Sequence, residues 1–313
     1  MRKTVLFYRD YRAFSGGHLK VWDYFQHTLQ SVLYEPKIYF SKKSLWDETN
    51  PWRDASNCVT GKWKPEEASA LFVAGMDWLS LSRGMWHKSK VPVINLVQHV
   101  RHADPTDSRY QFLRNRAVRI CVSEEVGHAL RATGIANGPL FVIPNCIDTA
   151  RISSSFGQCE RVIDVLIVGI KQRDMALRLR DELQRPGLRI TILAEPIARE
   201  DFLNRLAGAR TAVFLPHETE GFYLPALEGM AAGAVVVCPD CVGNRSFCIG
   251  GENCWMPAHD FSQILSATRS AISKSDDERE VMVASAMKTS SCHDLSVERT
   301  KFLEILHNIE AIW

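Results

Sequence analysis

The sequence predicts an α/β protein of two units, each with a parallel sheet between helices. Three observations support this fold class. Short apolar runs rich in β-branched residues alternate with longer segments of helical period, which is the pattern of βαβ units. The pattern lapses once, in the serine-rich segment 148–159, where we expect a linker, and then restarts. A length of 313 residues, 46% of them hydrophobic, suits about two domains.

Six short apolar runs in the first half predict six strands, enough for one doubly wound unit. Between the first two, apolar residues from Leu19 to Val32 recur at three- and four-residue spacing, so one stripe of a helix is expected to face the sheet. The predicted strands are residues 4–8, 37–41, 71–75, 91–98, 118–123 and 141–144.

A near-continuous apolar run at 162–169 starts the second half and is typical of a strand buried on both faces. Strand and helix patterns then alternate, and three helical patterns close the chain. We expect residues 1–152 to form an N-terminal domain, 160–290 a C-terminal domain, and 291–313 a C-terminal helix that packs back on the N-terminal domain. The further predicted strands are 189–194, 211–216 and 234–238, and the predicted helices are 174–183, 199–206, 224–232, 261–272, 277–287 and 295–309.

The composition excludes several classes of protein. A formal net charge of +2 is too small to attract nucleic acid or an anionic membrane through the overall field. The first apolar run ends at Arg9, too early for the core of a signal peptide, and no run approaches the roughly 18 apolar residues of a spanning helix. Nine cysteines, an odd number, are typical of reduced thiols. We therefore expect a cytoplasmic protein without a nucleic-acid partner.

Five arginines in the first half leave a peripheral contact with the inner face of a membrane open. They form either a basic patch for a membrane or an anionic acceptor, or an ordinary solvated face, which is the interpretation we favour. These residues are Arg101, Arg109, Arg114, Arg116 and Arg119.

Cofactor motifs are missing from the sequence. Cys238 and Cys241 form one tight pair, but Cys248 and Cys254 are too widely spaced to complete a zinc site. No G-x-G-x-x-G follows the first strand of either half, which argues against a nicotinamide dinucleotide. We therefore expect neither a metal nor a cofactor.

The segment 217–233, directly after a predicted strand, has the pattern of a strand-to-helix corner that binds an anionic ligand. Gly221 lets the backbone turn sharply, and Pro225 suits the first turn of the following helix. Free amides at 222–224 would point towards an anion, and Glu228, one turn later, would accept hydrogen bonds from a ribose diol. Gly233 ends the helix.

This segment, EGFYLPALEGMAAGAVVV, resembles the pattern EGFxLPxLEAMAxGxPVV of the retaining glycosyltransferases of family 4, with its two glutamates separated by seven residues. Two other passages resemble that family. Residues 120–148 contain Val-Ser-Glu and Val-Ile-Pro-Asn-Cys-Ile-Asp, and residues 243–257 resemble the stretch GGxPE…DGxNGxLVP. The resemblance covers about residues 90–260.

The resemblance implies a GT-B architecture, in which two Rossmann-like doubly wound domains flank a cleft, the C-terminal domain binding the donor and the N-terminal domain the acceptor. The implied activity is retaining, hexosyltransferase-like transfer of a sugar from a nucleotide-diphosphate sugar to a hydroxyl group. The acceptor would be a glycan, a lipid-linked sugar or a small molecule, in polysaccharide or glycoconjugate biosynthesis. Two alternatives stay open: a nucleotide-sugar epimerase of the same architecture, and a catalytically silent nucleotide-sugar-binding or scaffold protein.

Carried over position by position, the resemblance implies that Glu220 contacts hydroxyl groups of the donor sugar and that Glu228 holds the ribose. Backbone amides supply the other contacts. The residues that offer them are Gly221 and Phe222 for the sugar and Tyr223 and Leu224 for the diphosphate.

The resemblance also assigns residues outside this segment. Lys171 and Arg173, after the first strand of the second domain, would neutralise the leaving diphosphate without a metal. The alternative is that both are exposed cations at the start of a helix. Gly16 and Gly17 resemble the family's N-terminal glycine loop, which approaches the donor phosphates and the acceptor. His99, at the carboxyl end of a predicted strand, would lie near the donor sugar.

The sequence departs from the family pattern at three places. Tyr223 stands where glycine is most frequent and is expected to crowd the path to the phosphates. Ile170 replaces an arginine in a shortened loop. Asn244 replaces part of the Gly-x-Pro-Glu stretch, which leaves sugar or base selection there open.

Overall fold

The structure is a computed structural model and describes residues 2–81, 90–156 and 160–313. The chain divides into two compact units. Unit 1 comprises Met1–Asn145 together with Ser296–Trp313, and unit 2 comprises Cys146–Leu295. Each unit is built on a parallel sheet, so the predicted fold class is confirmed.

Unit 1 contains six parallel strands in the order β2-β1-β3-β4-β5-β6. The order reverses between β1 and β3, and such a switch point is where open α/β sheets bind ligands, at the carboxyl ends of the strands. Short 3₁₀ turns fill several connections. The strands are β1 (Lys3–Arg9), β2 (Tyr34–Phe40), β3 (Ala70–Ala74), β4 (Val93–Val97), β5 (Val118–Cys121) and β6 (Leu140–Val142), and the helices are α1 (Gly16–Leu29), α2 (Glu124–Ala132), α9 (Leu295–His307, entering from unit 2) and α10 (Ile309–Ile312).

Unit 2 contains four parallel strands in the order β10-β9-β7-β8. Here the order reverses between β7 and β9, which creates the same kind of switch point. The strands are β7 (Ile163–Val168), β8 (Ile190–Leu193), β9 (Ala209–Phe214) and β10 (Val235–Val237), and the helices are α3 (Thr149–Phe156), α4 (Arg173–Leu183), α5 (Arg199–Ala207), α6 (Leu224–Ala231), α7 (Phe261–Ser273) and α8 (Asp276–Ser291).

Strand β7 explains the near-continuous apolar run at its position. Leu166 and Val168 belong to one buried apolar cluster of unit 2, while Val165 and Ile167 belong to another. Because successive side chains of a strand point to opposite faces, β7 needs apolar residues at every position between two layers of helices. The predicted strand buried on both faces is confirmed.

Two local expectations differ from the structure. The serine-rich segment 148–159 was expected to be a linker, but the helix α3 occupies much of it; Asp148 Oδ1 accepts from Arg151 N at 2.9 Å, and Ile152 is buried. One buried apolar residue and one cap are too little pattern to detect in a sequence. Val32, expected on the buried stripe of α1, lies beyond the end of that helix and is 78% exposed.

The buried face of α1 carries charged residues as well as apolar ones, and a carboxylate from α9 pairs with the charged residues. Lys20 Nζ lies 2.8 Å from Asp23 Oδ2 and 2.8 Å from Glu298 Oε2, and His27 Nε2 lies 3.0 Å from Glu298 Oε1. These four side chains are nearly inaccessible to solvent. Attraction to the two carboxylates raises the pKa of Lys20 despite its burial, so the group stays cationic. The network joins the C-terminal segment to α1 within unit 1.

Replacing Lys20 with methionine is expected to destabilise unit 1 by about 3–5 kcal/mol, because two buried carboxylates would lose their cation. Denaturant unfolding followed by circular dichroism measures the change. The matched control is Lys64→Met, since Lys64 pairs with Glu67 on the surface and is expected to contribute little to stability. Equal stabilities of the two variants would contradict this prediction.

Candidate active site

The carboxyl ends of β7 and β9 bring two predicted site residues together at the switch point of unit 2. Lys171 follows β7, and its Nζ donates a hydrogen bond to Oε1 of Glu220, which follows β9. The same ammonium lies 5.5 Å from the centroid of the Tyr223 ring. Gln172 Nε2 donates to Pro216 O at 2.8 Å, which ties the two loops to each other.

Glu220 is held in place by its own loop. Its Oε1 also accepts from His217 N at 3.3 Å, and its backbone N–H donates to His217 O. The side chain is 12% exposed, whereas that of Lys171 is 41% exposed. A partly buried carboxylate and an accessible ammonium therefore lie side by side at the sheet edge where ligands bind.

The N-terminus of α6 offers two backbone donors. The N–H groups of Phe222 and Leu224 make no hydrogen bond to any residue that the structure describes. Pro225 at the start of the helix fits the predicted corner. These free donors and the helix dipole suit an anionic group.

Tyr223 differs from its expected place. Its N–H donates to Gly243 O at 2.8 Å, so this amide is already satisfied in the ligand-free chain. Its ring is buried and packs edge-on against Phe214, with 6.2 Å between the ring centroids. Burial raises the pKa of the phenol well above its usual value, which keeps the group neutral. The ring therefore belongs to the core of unit 2, where it packs against Phe214.

Glu228 lies deep in α6 and is 1% exposed. Its carboxylate Oε1 accepts a hydrogen bond from Nη2 of Arg199, the first residue of α5. A buried carboxylate without a partner would destabilise the fold. The ion pair with Arg199 is therefore what allows a glutamate at this buried position. Arg199 was not among the sequence-predicted site residues.

Gly243 lies directly against the loop that carries Glu220. A Cβ at this position would lie 2.8 Å from Glu220 Cβ, 2.9 Å from Tyr223 N and 3.0 Å from Phe222 Cα. Val242 N also donates to Glu218 O at 2.9 Å. Two of those three close atoms are backbone, so the loop can accept a side chain at 243 only by moving.

Replacing Gly243 with alanine is expected to weaken nucleotide binding about tenfold and to destabilise unit 2 by about 1–3 kcal/mol, because the added methyl displaces the Glu220 loop. Calorimetric titration and denaturant unfolding measure the two effects. The control is Gly208→Ala, where the nearest atom would be 3.5 Å from the new Cβ, an ordinary contact. A Gly243 variant that matched this control in both measurements would contradict the close approach.

Asn244 shapes the segment behind Gly243. It is fully buried, accepts from Cys241 N at 3.1 Å through Oδ1, and donates through Nδ2 to Cys238 Sγ at 3.2 Å and Pro239 O at 2.9 Å. Its side chain therefore fixes the loop and does not point at a ligand.

The four cysteines of this region are buried, and the described residues contain no group of three His, Cys, Asp or Glu side chains arranged to hold a metal ion. Burial raises the pKa of the Cys238 thiol well above its usual range. Over the same described residues, no helix is long and apolar enough to cross a membrane.

Unit 1 gathers other predicted residues at the carboxyl edge of its sheet. Gly16 and Gly17 are the first residues of α1, and Gly17 O accepts from Gln98 Nε2 at 3.2 Å. His99, next to Gln98, follows the end of β4, and its Nδ1 accepts from Arg101 N at 3.0 Å. With Nδ1 as an acceptor, the neutral ring of His99 carries its proton on Nε2.

A second cluster at this edge was not recognised as a unit in the sequence. Arg9 Nη1 donates to Asp77 Oδ2 at 2.7 Å, and Arg9 Nη2 donates to His18 Nδ1 at 2.9 Å. Burial, together with the Arg9 cation, lowers the pKa of His18 to about 4, so the ring is neutral at pH 7. Arg9 ends β1 and Asp77 follows β3, so their strand-end positions were the available signal.

Several other cations prove to have local roles. Arg173 starts α4 and forms an exposed ion pair with Glu195 at 3.1 Å. Arg119, expected in a solvated or basic face, is fully buried and donates to loop carbonyl groups, including Leu113 O at 2.8 Å. Arg109 pairs with Asp107 at 2.9 Å. The five arginines therefore do not form one exposed patch, because Arg119 serves the interior.

Comparison with known proteins agrees with this geometry. Residues 150–274 match the family model described as glycosyl transferases group 1. The matched segment contains Lys171, Arg199, Glu220, Glu228 and Gly243. Among curated proteins, none matches the sequence.

Solved structures of low sequence identity share the fold along nearly the whole chain. Sucrose-phosphate synthase from Thermosynechococcus elongatus has a TM-score of 0.72 and 11% identity, covering 99% of this chain and 100% of that chain. HepE from Anabaena, in complex with UDP, has a TM-score of 0.73 and 14% identity, covering 98% and 100%. The UDP-forming α,α-trehalose-phosphate synthase from Burkholderia xenovorans has a TM-score of 0.68 and 12% identity, covering 99% of each chain. The protein thus has a GT-B fold, and its residues 150–274 match the model of the group 1 glycosyl transferases.

Proposed function

We propose that this protein is a retaining glycosyltransferase that moves a sugar from a nucleotide-diphosphate sugar to a hydroxyl acceptor. One observation carries the proposal: at the switch point of unit 2, Lys171 after β7 pairs with Glu220 on the strand-loop-helix corner after β9, which also carries the buried Glu228. The corner falls inside the segment that matches the group 1 glycosyl transferases.

The diphosphate is assigned to Lys171 and to the start of α6. The ammonium is accessible and the N–H group of Leu224 is free of partners in the described residues, so both can neutralise charge that develops on a leaving phosphate, while the free N–H group of Phe222 is assigned to the donor sugar. Gly221 supplies the turn that exposes these donors. Arg173 contributes at longer range, since it is engaged with Glu195 on the surface. A metal is not needed for this step.

The glutamates have different tasks in this proposal. Glu220 contacts hydroxyl groups of the donor sugar. It also stabilises the positive charge that develops at the anomeric carbon when the bond between that carbon and the phosphate oxygen breaks. The acceptor hydroxyl attacks from the leaving-group face, forms the new carbon–oxygen bond and gives its proton to the departing phosphate. Glu228 holds the ribose. In unit 1, we assign Gly16 and Gly17 to the same reaction through their amides and His99 through its Nε2–H.

Uridine diphosphate is the first donor nucleotide to test, because HepE was solved with UDP and with UDP-glucose and the Burkholderia enzyme forms UDP. We propose a glycan, lipid-linked or small-molecule acceptor. The eight cysteines that the structure describes as free thiols, seven of them buried, support a reducing, cytoplasmic location. A peripheral position at the membrane stays part of this proposal.

A thermal-shift panel of UDP, GDP, ADP and their sugar conjugates tests the proposal. A ligand at 100 times its Kd stabilises the folded state by about 2.7 kcal/mol, so one nucleotide and its sugar conjugates are expected to raise the melting temperature. Product analysis with the selected donor then separates sugar transfer from epimerisation. A panel without any shift would contradict nucleotide-sugar binding, and binding without turnover of any donor would favour a silent scaffold.

A further inference from the structure

Arg199 occupies a place that helix electrostatics alone would not favour. It is the first residue of α5, and its side chain is 28% exposed. A cation at a helix N-terminus opposes the helix dipole, whereas the next two residues, Glu200 and Asp201, complement it. The position therefore needs another explanation, and the ion pair with Glu228 supplies one.

The carboxylate of Glu228 lies in apolar surroundings, so its ion pair with Arg199 determines how the carboxylate is stabilised. Its neighbours in α6, including Leu227 and Met230, are buried apolar residues. Of the residues that the structure describes, Arg199 is the one whose side chain is hydrogen-bonded to the Glu228 carboxylate. Arginine keeps its charge in such surroundings, and its hydrogen bond to Oε1 holds that oxygen of the carboxylate in place.

The pair leaves one carboxylate oxygen for a ligand. Oε1 of Glu228 is occupied by Arg199 Nη2, while Oε2 makes no hydrogen bond within the described part of the chain. A ribose offers two neighbouring hydroxyl donors, and a carboxylate that is held still accepts them better than one that rotates or is protonated. We propose that Arg199 is a positioning residue that orients Glu228 to recognise the ribose diol of the donor nucleotide. This inference rests on the proposed function.

Titration calorimetry with UDP and 2′-deoxy-UDP tests Arg199. The intact protein is expected to prefer UDP by about tenfold, which corresponds to one charged hydrogen bond. Arg199→Met is expected to weaken UDP binding about tenfold and deoxy-UDP binding less than about threefold, so that the preference collapses. Arg199→Lys keeps the charge without the planar guanidinium group. Its preference for UDP is expected to lie between that of the intact protein and that of Arg199→Met.

The matched control is Arg205→Met, because Arg205 is an exposed arginine in the last turn of the same helix. It should leave both affinities unchanged. Melting curves of each variant, recorded without nucleotide, establish that the protein is folded, and Arg199→Lys keeps the test decisive where the methionine variant does not fold.

Two results would overturn the inference. An equal loss of affinity for the two nucleotides would assign Arg199 a purely structural role. Tighter nucleotide binding by Arg199→Met would mean that the arginine competes with the ribose. Neither result affects the proposed function, whereas failure of the intact protein to bind UDP, GDP or ADP would remove the proposed function, and this inference with it.

Discussion

Replacing Glu220 with glutamine is expected to lower turnover of the donor about 100-fold or more, with nucleotide affinity changed by less than about threefold. The carboxylate is placed to stabilise charge that exists only in the transition state, and removal of such a group lowers kcat more than it changes binding. The substitution keeps the size of the side chain, so packing against Gly243 is preserved. Steady-state donor consumption gives kcat, and calorimetric titration with the nucleoside diphosphate gives affinity.

The control for this experiment is Glu218→Gln. Glu218 lies two residues away in the same loop, its side chain is 73% exposed, and its backbone carbonyl, which binds Val242, is unchanged by the substitution. We expect near-normal kinetics for that variant. If both variants lost the same activity, the effect would belong to loop charge and the assignment of Glu220 would be wrong.

Replacing Glu228 with alanine is expected to weaken binding of the nucleoside diphosphate by about 2–3 kcal/mol, a 30- to 150-fold change in Kd. The ribose loses its acceptor, and Arg199 loses its partner while remaining partly exposed to solvent. Turnover at saturating donor is expected to fall less than binding does, because the ribose is bound equally in the ground and transition states.

Calorimetry with the same nucleotide measures this second effect. Glu280→Ala is the matched control, since Glu280 is an exposed glutamate of α8, the helix that packs against α6. Unchanged affinity of the Glu228 variant would refute the ribose assignment while leaving the role of Glu220 intact.

The strand-to-helix corner was predictable because its signal is local. Gly221, Pro225 and Glu228 lie within eight residues, and each has a strong conformational or chemical preference. The parallel sheets were equally predictable from the sequence, because buried strands such as β7 are apolar at every position.

The ion pairs that complete the site and the fold were not predictable. Arg199 and Glu228 are 29 residues apart, and Lys20 and Glu298 are 278 residues apart. From the sequence alone, a charged residue is expected on the solvated surface. Only the tertiary structure shows which carboxylate neutralises a buried cation. The direction of the Tyr223 ring was inaccessible for the same reason, since Phe214 and Gly243 determine it.

Hydrogen exchange measured by mass spectrometry, with and without the nucleotide selected by the thermal-shift panel, tests the central claim most directly. The central claim is that the nucleotide binds at the carboxyl edge of the sheet in unit 2. We expect the nucleotide to slow exchange in peptides covering residues 169–173, 198–201 and 217–228, because free or frayed amides there become ligand-bound. Protection confined to other peptides, or none at a saturating concentration of a nucleotide that binds, would contradict the account.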